Sequence, residues 1–285
     1  MTTRERVHPR RYIGVLTWGL TGPLAHAALP TVAPLRQATA VVTVNLLVTW
    51  LWTRWRGLPV FGHREGLLPG LGMGLLLSFR FGLCGVAAAL LGGSGFLVMT
   101  LGPLALLRAA MRRDAIAAVV IVAALVAGLL SHAPVPATVG LLGGILWAVE
   151  AMVRSSPTLA RISGGAWLDL HELAVAAVVL PVASVMAGDN WLASPGSFGW
   201  TMLALEVAVG VAYTAARWWE PALRRDPLRH VVPLAPLLAW PIGYLVGTDR
   251  APMTVGAAAL LSVAGFLLLR RRPSMDAAAP AEASA

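Results

Sequence analysis

Two ionisable residues stand inside long apolar stretches, where a charge needs a compensating partner. Arg80 falls within the apolar run 67–90, and Glu206 falls within the run 198–216. An arginine at mid-membrane costs about 2.5 to 3.5 kcal/mol on insertion scales, so it generally has a partner or lines a cavity. Its planar fork suits a carboxylate or a phosphate, whereas a buried carboxyl group can bind an amine or carry a proton. We predict that Arg80 and Glu206 form the polar part of a substrate site, either paired with each other or facing a ligand.

Five further residues are candidates for lining the same site. Trp18, Trp147 and Tyr213 can supply apolar contact area, Asn45 a hydrogen bond and Glu150 a second carboxylate. A structural role stays open for each of them. Aromatic residues at span ends form interface belts, a single polar group often bonds a neighbouring helix, and Glu150 is near enough to the end of its segment to reach the interface.

A polar cluster precedes the seventh apolar segment and has a simpler interpretation. Polar residues at a helix start favour capping and the helix dipole. The sequence therefore favours a capping role over metal or proton binding for Asp169, His171 and Glu172.

The composition excludes several function classes. Of 285 residues, 58% are hydrophobic and only 12% are charged, against about 25% charged in a soluble domain. All 22 basic residues are arginine, so no lysine is present for Schiff-base or Walker-type chemistry. The single cysteine, Cys84, excludes an intrachain disulfide and a cysteine metal site. No cofactor and no metal ion are predicted.

Ten apolar segments follow one another along the chain, separated by proline, glycine and polar residues. The third and fourth segments are divided at the glycine-rich residues 92–95, because a break at Arg80 leaves a first helix of about 21 Å, short of the roughly 30 Å core. The predicted segments are 13–29, 35–52, 67–90, 96–107, 115–130, 139–153, 173–187, 198–216, 231–246 and 253–269.

The arginines predict the orientation in the membrane. With a cytoplasmic N-terminus, ten spans place 19 of the 22 arginines on the cytoplasmic side, leave Arg36 and Arg250 outside, and put Arg80 within the membrane. This asymmetry predicts a multi-pass protein of the cytoplasmic membrane with both termini inside. It gives a cytoplasmic segment 1–12, two halves 13–132 and 138–269, and a disordered cytoplasmic tail 270–285. A cleaved signal peptide at the N-terminus, the alternative for the first segment, conflicts with this count.

Two short motifs recur between the halves. Trp18-Gly19 returns as Trp147-Ala148, and Leu101-Gly102-Pro103 returns as Leu234-Ala235-Pro236, at offsets of 129 and 133. A duplicated unit of five spans must insert in opposite orientations, as in many secondary transporters. The predicted fold is an all-α polytopic membrane protein with ten transmembrane helices arranged as two inverted five-helix repeats. The matched Pro103 and Pro236 are predicted to loosen their helices for gating.

The order of these motifs resembles that of the drug/metabolite transporter superfamily, EamA type, and within it the threonine/homoserine exporter-like permeases. The chain departs from that pattern at Glu150, where a tyrosine is common, and at residues 247–250, which read Gly-Thr-Asp-Arg where Gly-Glu-Arg is frequent. The resemblance implies a ten-helix bundle with a central cavity and export of small metabolites. The motifs that carry it are Trp18-Gly19, Arg36, Leu101 to Ala105, Arg112-Arg113, Leu146-Trp147-Ala148 and Leu234-Ala235-Pro236.

The leading functional hypothesis is a secondary transporter, not an enzyme, because no nucleotide-binding motif is present to power a pump. It exports a small metabolite or an amino-acid-like compound through a central cavity. Its partners are that small-molecule substrate and the lipid bilayer. Nucleic acid is excluded because the arginines are scattered between apolar runs, while protons as the coupling ion and a monomeric or homodimeric state stay open.

Non-transport functions form the alternative. A lipid-modifying enzyme or an assembly factor carries no motif of its own here. Residues 92–95 match the Gly-x-Ser-Gly pattern of intramembrane serine proteases, with Ser94 as nucleophile. Such a serine needs a base within hydrogen-bond reach, and His171, the histidine near a later span, is predicted at the opposite end of the membrane.

Overall fold

The computed structural model describes residues 12–60, 67–154, 156, 166–219 and 231–270, and these fold as α-helices without a β-strand among them. The ten helices of this part of the chain are α1 Ile13–Ala28, α2 Pro34–Trp55, α3 Leu67–Leu91, α4 Gly93–Met111, α5 Ala115–Ser131, α6 Pro134–Arg154, α7 Ala166–Met186, α8 Gly196–Trp219, α9 Val231–Val246 and α10 Pro252–Arg270.

Each predicted segment overlaps one of these helices. Six of them, α3, α4, α6, α7, α8 and α10, are long and apolar enough to cross a membrane, and α5 and α9 are shorter apolar helices. The prediction of an all-α, multi-pass membrane protein is confirmed at this level. The predicted terminal segments, up to residue 11 and after residue 270, lie outside the described residues.

Local sequence accounts for where several helices begin. Pro34 occupies the first turn of α2, where its missing N–H costs nothing. The Asp114 carboxylate accepts a hydrogen bond of 3.1 Å from the Ala117 N–H at the start of α5. Gly92 separates α3 from α4 with φ 62° and ψ −156°, a conformation that is essentially restricted to glycine. The chain therefore breaks within the glycine-rich residues, as predicted.

Helix α4 lies at the centre of the larger hydrophobic core. It packs against α1, α5, α6, α9 and α10, and most of its side chains are buried. Close approach to α6 depends on Gly144, where an added Cβ would lie 2.7 Å from the carbonyl oxygens of both Met99 and Thr100. Small residues at such crossings are typical of helix packing in membranes.

A smaller core joins α2, α3 and α7. It is built around Ala38, Val42, Leu77 and Leu180. Helix α3 packs against both α6 and α7, while α8 packs against α1 and α2. The six helices α1, α2, α3, α6, α7 and α8 consequently surround a space between the two cores.

Contacts between helix ends define two opposite faces of the bundle. At one face, Arg112 donates to the Leu268 carbonyl near the end of α10. We call it the arginine face, because the helix ends gathered there carry Arg54, Arg56, Arg108, Arg112, Arg113, Arg154 and Arg270. At the opposite face, His26 Nδ1 lies 2.7 Å from the Ala89 carbonyl.

The outer surface of the bundle is apolar along its sides. Val119 on α5 is 69% exposed, and Val178 on α7 is 66% exposed. Exposed aliphatic surface of this kind is what a lipid-facing helix presents.

Candidate functional site

A cavity of about 520 Å³ occupies the space between the six helices. It extends from the middle of the bundle to the arginine face, where Arg154 and Asp169 are partly exposed. All of the residues predicted to bind substrate line it, and the structure thus brings them together. They are Trp18, Asn45, Arg80, Trp147, Glu150, Glu206 and Tyr213.

Arg80 extends from α3 into an ion pair with α6. Its Nε lies 2.7 Å from Glu150 Oε2, although the two atoms are not aligned as a hydrogen bond. Its guanidinium carbon also lies 4.8 Å from the ring centre of Phe81 and 5.1 Å from that of Trp147. The predicted alternative of a pair with Glu206 is not formed, since the carboxylate beside Arg80 belongs to Glu150.

Glu150 is buried and shared between two arginines. The residue is only 4% exposed, and its Oε1 accepts a hydrogen bond of 3.0 Å from Arg154 Nε, one turn later on α6. Arg154 also pairs with Glu172 and lies 3.7 Å from Asp169, both on the first turns of α7. Sequence reasoning assigned Asp169 and Glu172 to capping, but their side chains face the cavity and bind an arginine of the preceding helix.

Glu206 on α8 is the cavity carboxylate that has no charged partner within the described part of the chain. It is 7% exposed, and its Oε2 accepts no hydrogen bond from any described residue. A buried carboxylate without compensation is costly, and a proton or a cation at this position would remove that cost.

Aromatic rings form one wall of the cavity. The rings of Trp18 and Trp147 stack with centres 4.7 Å apart, and Tyr213 meets Trp18 edge-on at 6.2 Å. On its other flank Trp18 stacks with Phe96 at 6.3 Å. The two tryptophans that sequence comparison paired between the halves are therefore in direct contact.

Polar residues of α2 and α8 complete the lining. Asn45 Oδ1 accepts a hydrogen bond of 2.6 Å from the Thr214 hydroxyl, which links the two helices. Thr49 is 1% exposed and its hydroxyl has no partner among the described residues.

Several lining residues were missed by sequence reasoning, which selected single charges and aromatics. A usable signal was present on α6, where Trp147, Glu150, Ala151 and Arg154 recur at the spacing of one helix face. The missed residues include Thr17, Thr21, Thr49, Arg154, Asp169, Glu172 and Thr214.

The cavity is closed toward the opposite face. Here Gly22 of α1 packs directly on the chain before α4, and a Cβ on Gly22 would lie 2.9 Å from the Gly92 carbonyl oxygen. Asp249, in the turn between α9 and α10, accepts a hydrogen bond of 2.7 Å from the Ser94 N–H at the start of α4. Burial raises the pKa of the Asp249 carboxyl group, although its hydrogen bonds from Ser94 and Gly95 oppose that shift.

Ser94 does not form a catalytic arrangement with a histidine of the described chain. It is fully buried, and its hydroxyl makes no hydrogen bond to a histidine among the described residues. His132 packs over the neighbouring Gly95, but its Nε2 has no hydrogen-bond partner within the described part of the chain. A base is thus not in place to activate the serine.

The two predicted gating prolines lie away from the cavity. Pro103 is buried within α4, and Pro236 is buried within α9. These two helices pack against each other, so the matched prolines occupy neighbouring elements.

No protein-family model matches the chain, and neither a curated protein nor a solved structure does. The resemblance to EamA-type transporters therefore stays a prediction from the sequence.

Proposed function

We propose that the protein is a secondary transporter that exports a small metabolite or amino-acid-like compound across the cytoplasmic membrane. One observation carries this proposal. A cavity with buried charges and stacked aromatic rings extends from the middle of the bundle to the arginine face and is closed toward the other face. Binding near the midplane with access from one side at a time is the arrangement that secondary transporters use.

The proposal includes two inverted five-helix repeats, α1–α5 and α6–α10, and helix packing supports it. In the proposed repeats, α1 to α5 are equivalent, in the same order, to α6 to α10. The packed pairs α3–α6, α1–α9 and α4–α5 then have the equivalent pairs α8–α1, α6–α4 and α9–α10. Each of these equivalent pairs also packs. The pairs α2–α7, α5–α10 and α4–α9 map onto themselves and also pack. Trp18 and Trp147, which are equivalent residues in the proposed repeats, also stack directly on each other.

The repeats differ in one respect that fits a transporter with one open side. Helix α1 packs against α3 and α4 and closes the face opposite the arginines, whereas within the described residues α6 lacks comparable packing with α8 and α9. Because those are the equivalent pairs in an inverted repeat, the described helices pack less closely around the cavity at the arginine face. With the arginine face cytoplasmic, as the positive-inside rule predicts, the cavity accepts its substrate from the cytoplasm.

A substitution that fills the cavity with a large side chain tests the proposal for any small-molecule substrate. Proteoliposomes are loaded with an isotope-labelled small-molecule extract of the host cells, and solutes that leave the vesicles are identified by mass spectrometry. Ala151→Trp fills the cavity from α6, and Ala123→Trp adds the same side chain on the exposed side of α5. We expect at least one solute to leave wild-type and Ala123→Trp vesicles and to be retained by Ala151→Trp vesicles. Identical release from all three, or none above protein-free vesicles, would contradict the proposal.

A further inference from the structure

The charge of the cavity differs from that of the protein as a whole. The chain carries a formal net charge of +9, yet the described cavity wall holds four carboxyl groups and only two guanidinium groups. The carboxyl groups belong to Glu150, Asp169, Glu172 and Glu206, and the guanidinium groups to Arg80 and Arg154. An enclosed space lined by an excess of one charge concentrates ions of the opposite sign.

Both guanidinium groups are already engaged by protein carboxylates. Arg80 is held by Glu150 and lies beside two aromatic rings. Arg154 is held by three carboxylates, those of Glu150, Asp169 and Glu172. An anionic ligand would have to displace one of these, and breaking a buried pair is expensive.

Glu206, in contrast to the two arginines, is not paired with an opposite charge among the described residues. It is buried and lines the cavity, and no basic side chain of the described residues pairs with it. The helices packed against α8 contribute uncharged groups to the cavity here, namely threonines and Trp18 from α1 and Val41, Asn45 and Thr49 from α2. A positive group that would balance the Glu206 carboxylate is therefore lacking in this part of the described cavity wall.

The cavity wall beside Glu206 is aromatic and suits the apolar part of a ligand. Trp18, Trp147 and Tyr213 form a continuous aromatic group, and Tyr213 follows Glu206 by two turns on the same side of α8. The volume of about 520 Å³ falls within the range of small-molecule pockets. Rings in such a wall favour aromatic and alkyl groups and also attract cations.

We infer that the cavity binds an organic cation, with its ammonium group on the Glu206 carboxylate and its apolar body against the aromatic wall. The inference rests on the proposed function and specifies its substrate class. It replaces the expectation that Arg80 receives an acidic group of the substrate, because Glu150 already occupies that guanidinium.

Four indole compounds that differ in charge test the inference with one ring system. They are tryptamine, a cation; tryptophan, a zwitterion; tryptophol, which is neutral; and indole-3-propionate, an anion. Binding to the full-length protein in lipid nanodiscs is measured by calorimetry at neutral pH. We expect tryptamine to bind at least about tenfold more tightly than each of the other three.

Variants of Glu206 assign the effect to that carboxylate. Glu206→Gln should lower tryptamine affinity to the level of tryptophol, and Glu206→Asp should retain most of it. Asp189→Asn removes a carboxylate from the α7–α8 connection, outside the described cavity lining, and should leave binding unchanged. Circular dichroism and gel filtration confirm that each variant is folded.

Several results would overturn the inference. These are tighter binding of tryptophan or indole-3-propionate, equal binding of tryptophol, no binding of any of the four, or full binding by Glu206→Gln. Each of them leaves the proposed function standing if Ala151→Trp still blocks solute release. Equal release by Ala151→Trp and wild-type vesicles would instead contradict transport, whichever indole binds.

Discussion

Glu150 lies between two guanidinium groups within the bundle, and its removal separates the roles of the two arginines. Glu150→Gln leaves Arg80 without a described carboxylate, while Arg154 keeps Asp169 and Glu172. Breaking a buried pair by removing one partner costs about 3 to 5 kcal/mol, whereas removing both is often nearly neutral. We expect Glu150→Gln to lower the melting temperature in detergent clearly, and Arg80→Gln/Glu150→Gln to recover most of the loss.

The single variant Arg80→Gln is the control for this comparison. Glu150 then keeps Arg154 as a partner, so the loss should be smaller than that of Glu150→Gln. A double variant less stable than either single variant would show that the two residues contribute independently and not as a pair.

For individual residues, the sequence was informative about which ones line the cavity and uninformative about which ones contact each other. Arg80 and Glu206 were identified because charge is rare in apolar runs. The partner of Arg80 depends on the packing of α3 against α6, which no local pattern in the sequence encodes. The cavity-lining positions of Asp169 and Glu172 were not foreseen, because capping and cavity lining use the same residue types at a helix start.

The closed face depends on contact between elements, and Gly22 is its most direct test. An added Cβ at Gly22 would meet the backbone carbonyls of Gly92 and Gly93 at 2.9 and 3.1 Å, and backbone cannot rotate away. Gly72→Ala is the matched control, because nothing lies within 4 Å of its added Cβ on α3.

We expect Gly22→Ala to separate α1 from α4, to lower the melting temperature, and to make the face opposite the arginines more accessible to proteases and labelling reagents. Gly72→Ala should be neutral or slightly stabilising, since alanine favours the helix by about 0.5 to 1 kcal/mol over glycine. Equal melting temperatures for both variants would contradict the described contact.

The elements themselves followed closely from the sequence. Length, hydropathy and the positions of proline and glycine located all ten helices within the described residues. The largest discrepancy is at α7, predicted from residue 173 but beginning at Ala166. Its first two turns carry polar residues that face a cavity, and hydropathy alone interprets such turns as a loop.

For the molecule as a whole, the proposed repeat and the unequal packing of α1 and α6 within the described residues fit together. Two dipeptide echoes in the sequence suggested a repeat, and the packed helix pairs support it. The sequence could not indicate which face is closed, because that depends on whether α1 or its equivalent α6 makes the closing contacts. In a transporter built this way, the cavity is a pathway that reaches both faces in turn.

Transport through the cavity is tested most directly by measuring how accessible one cavity position is from each face. Val41 lines the cavity on α2, and Val41→Cys in a Cys84→Ser background offers the chain a single thiol. Val178→Cys places the thiol on the exposed apolar side of α7 as a control.

A membrane-impermeant maleimide is applied to oriented vesicles from either side. We predict rapid labelling of Val41→Cys from the arginine face and slower labelling from the opposite face, both faster than that of Val178→Cys. Labelling from the arginine face alone, with the opposite face no faster than the control, would identify a closed-ended pocket and contradict transport through this cavity.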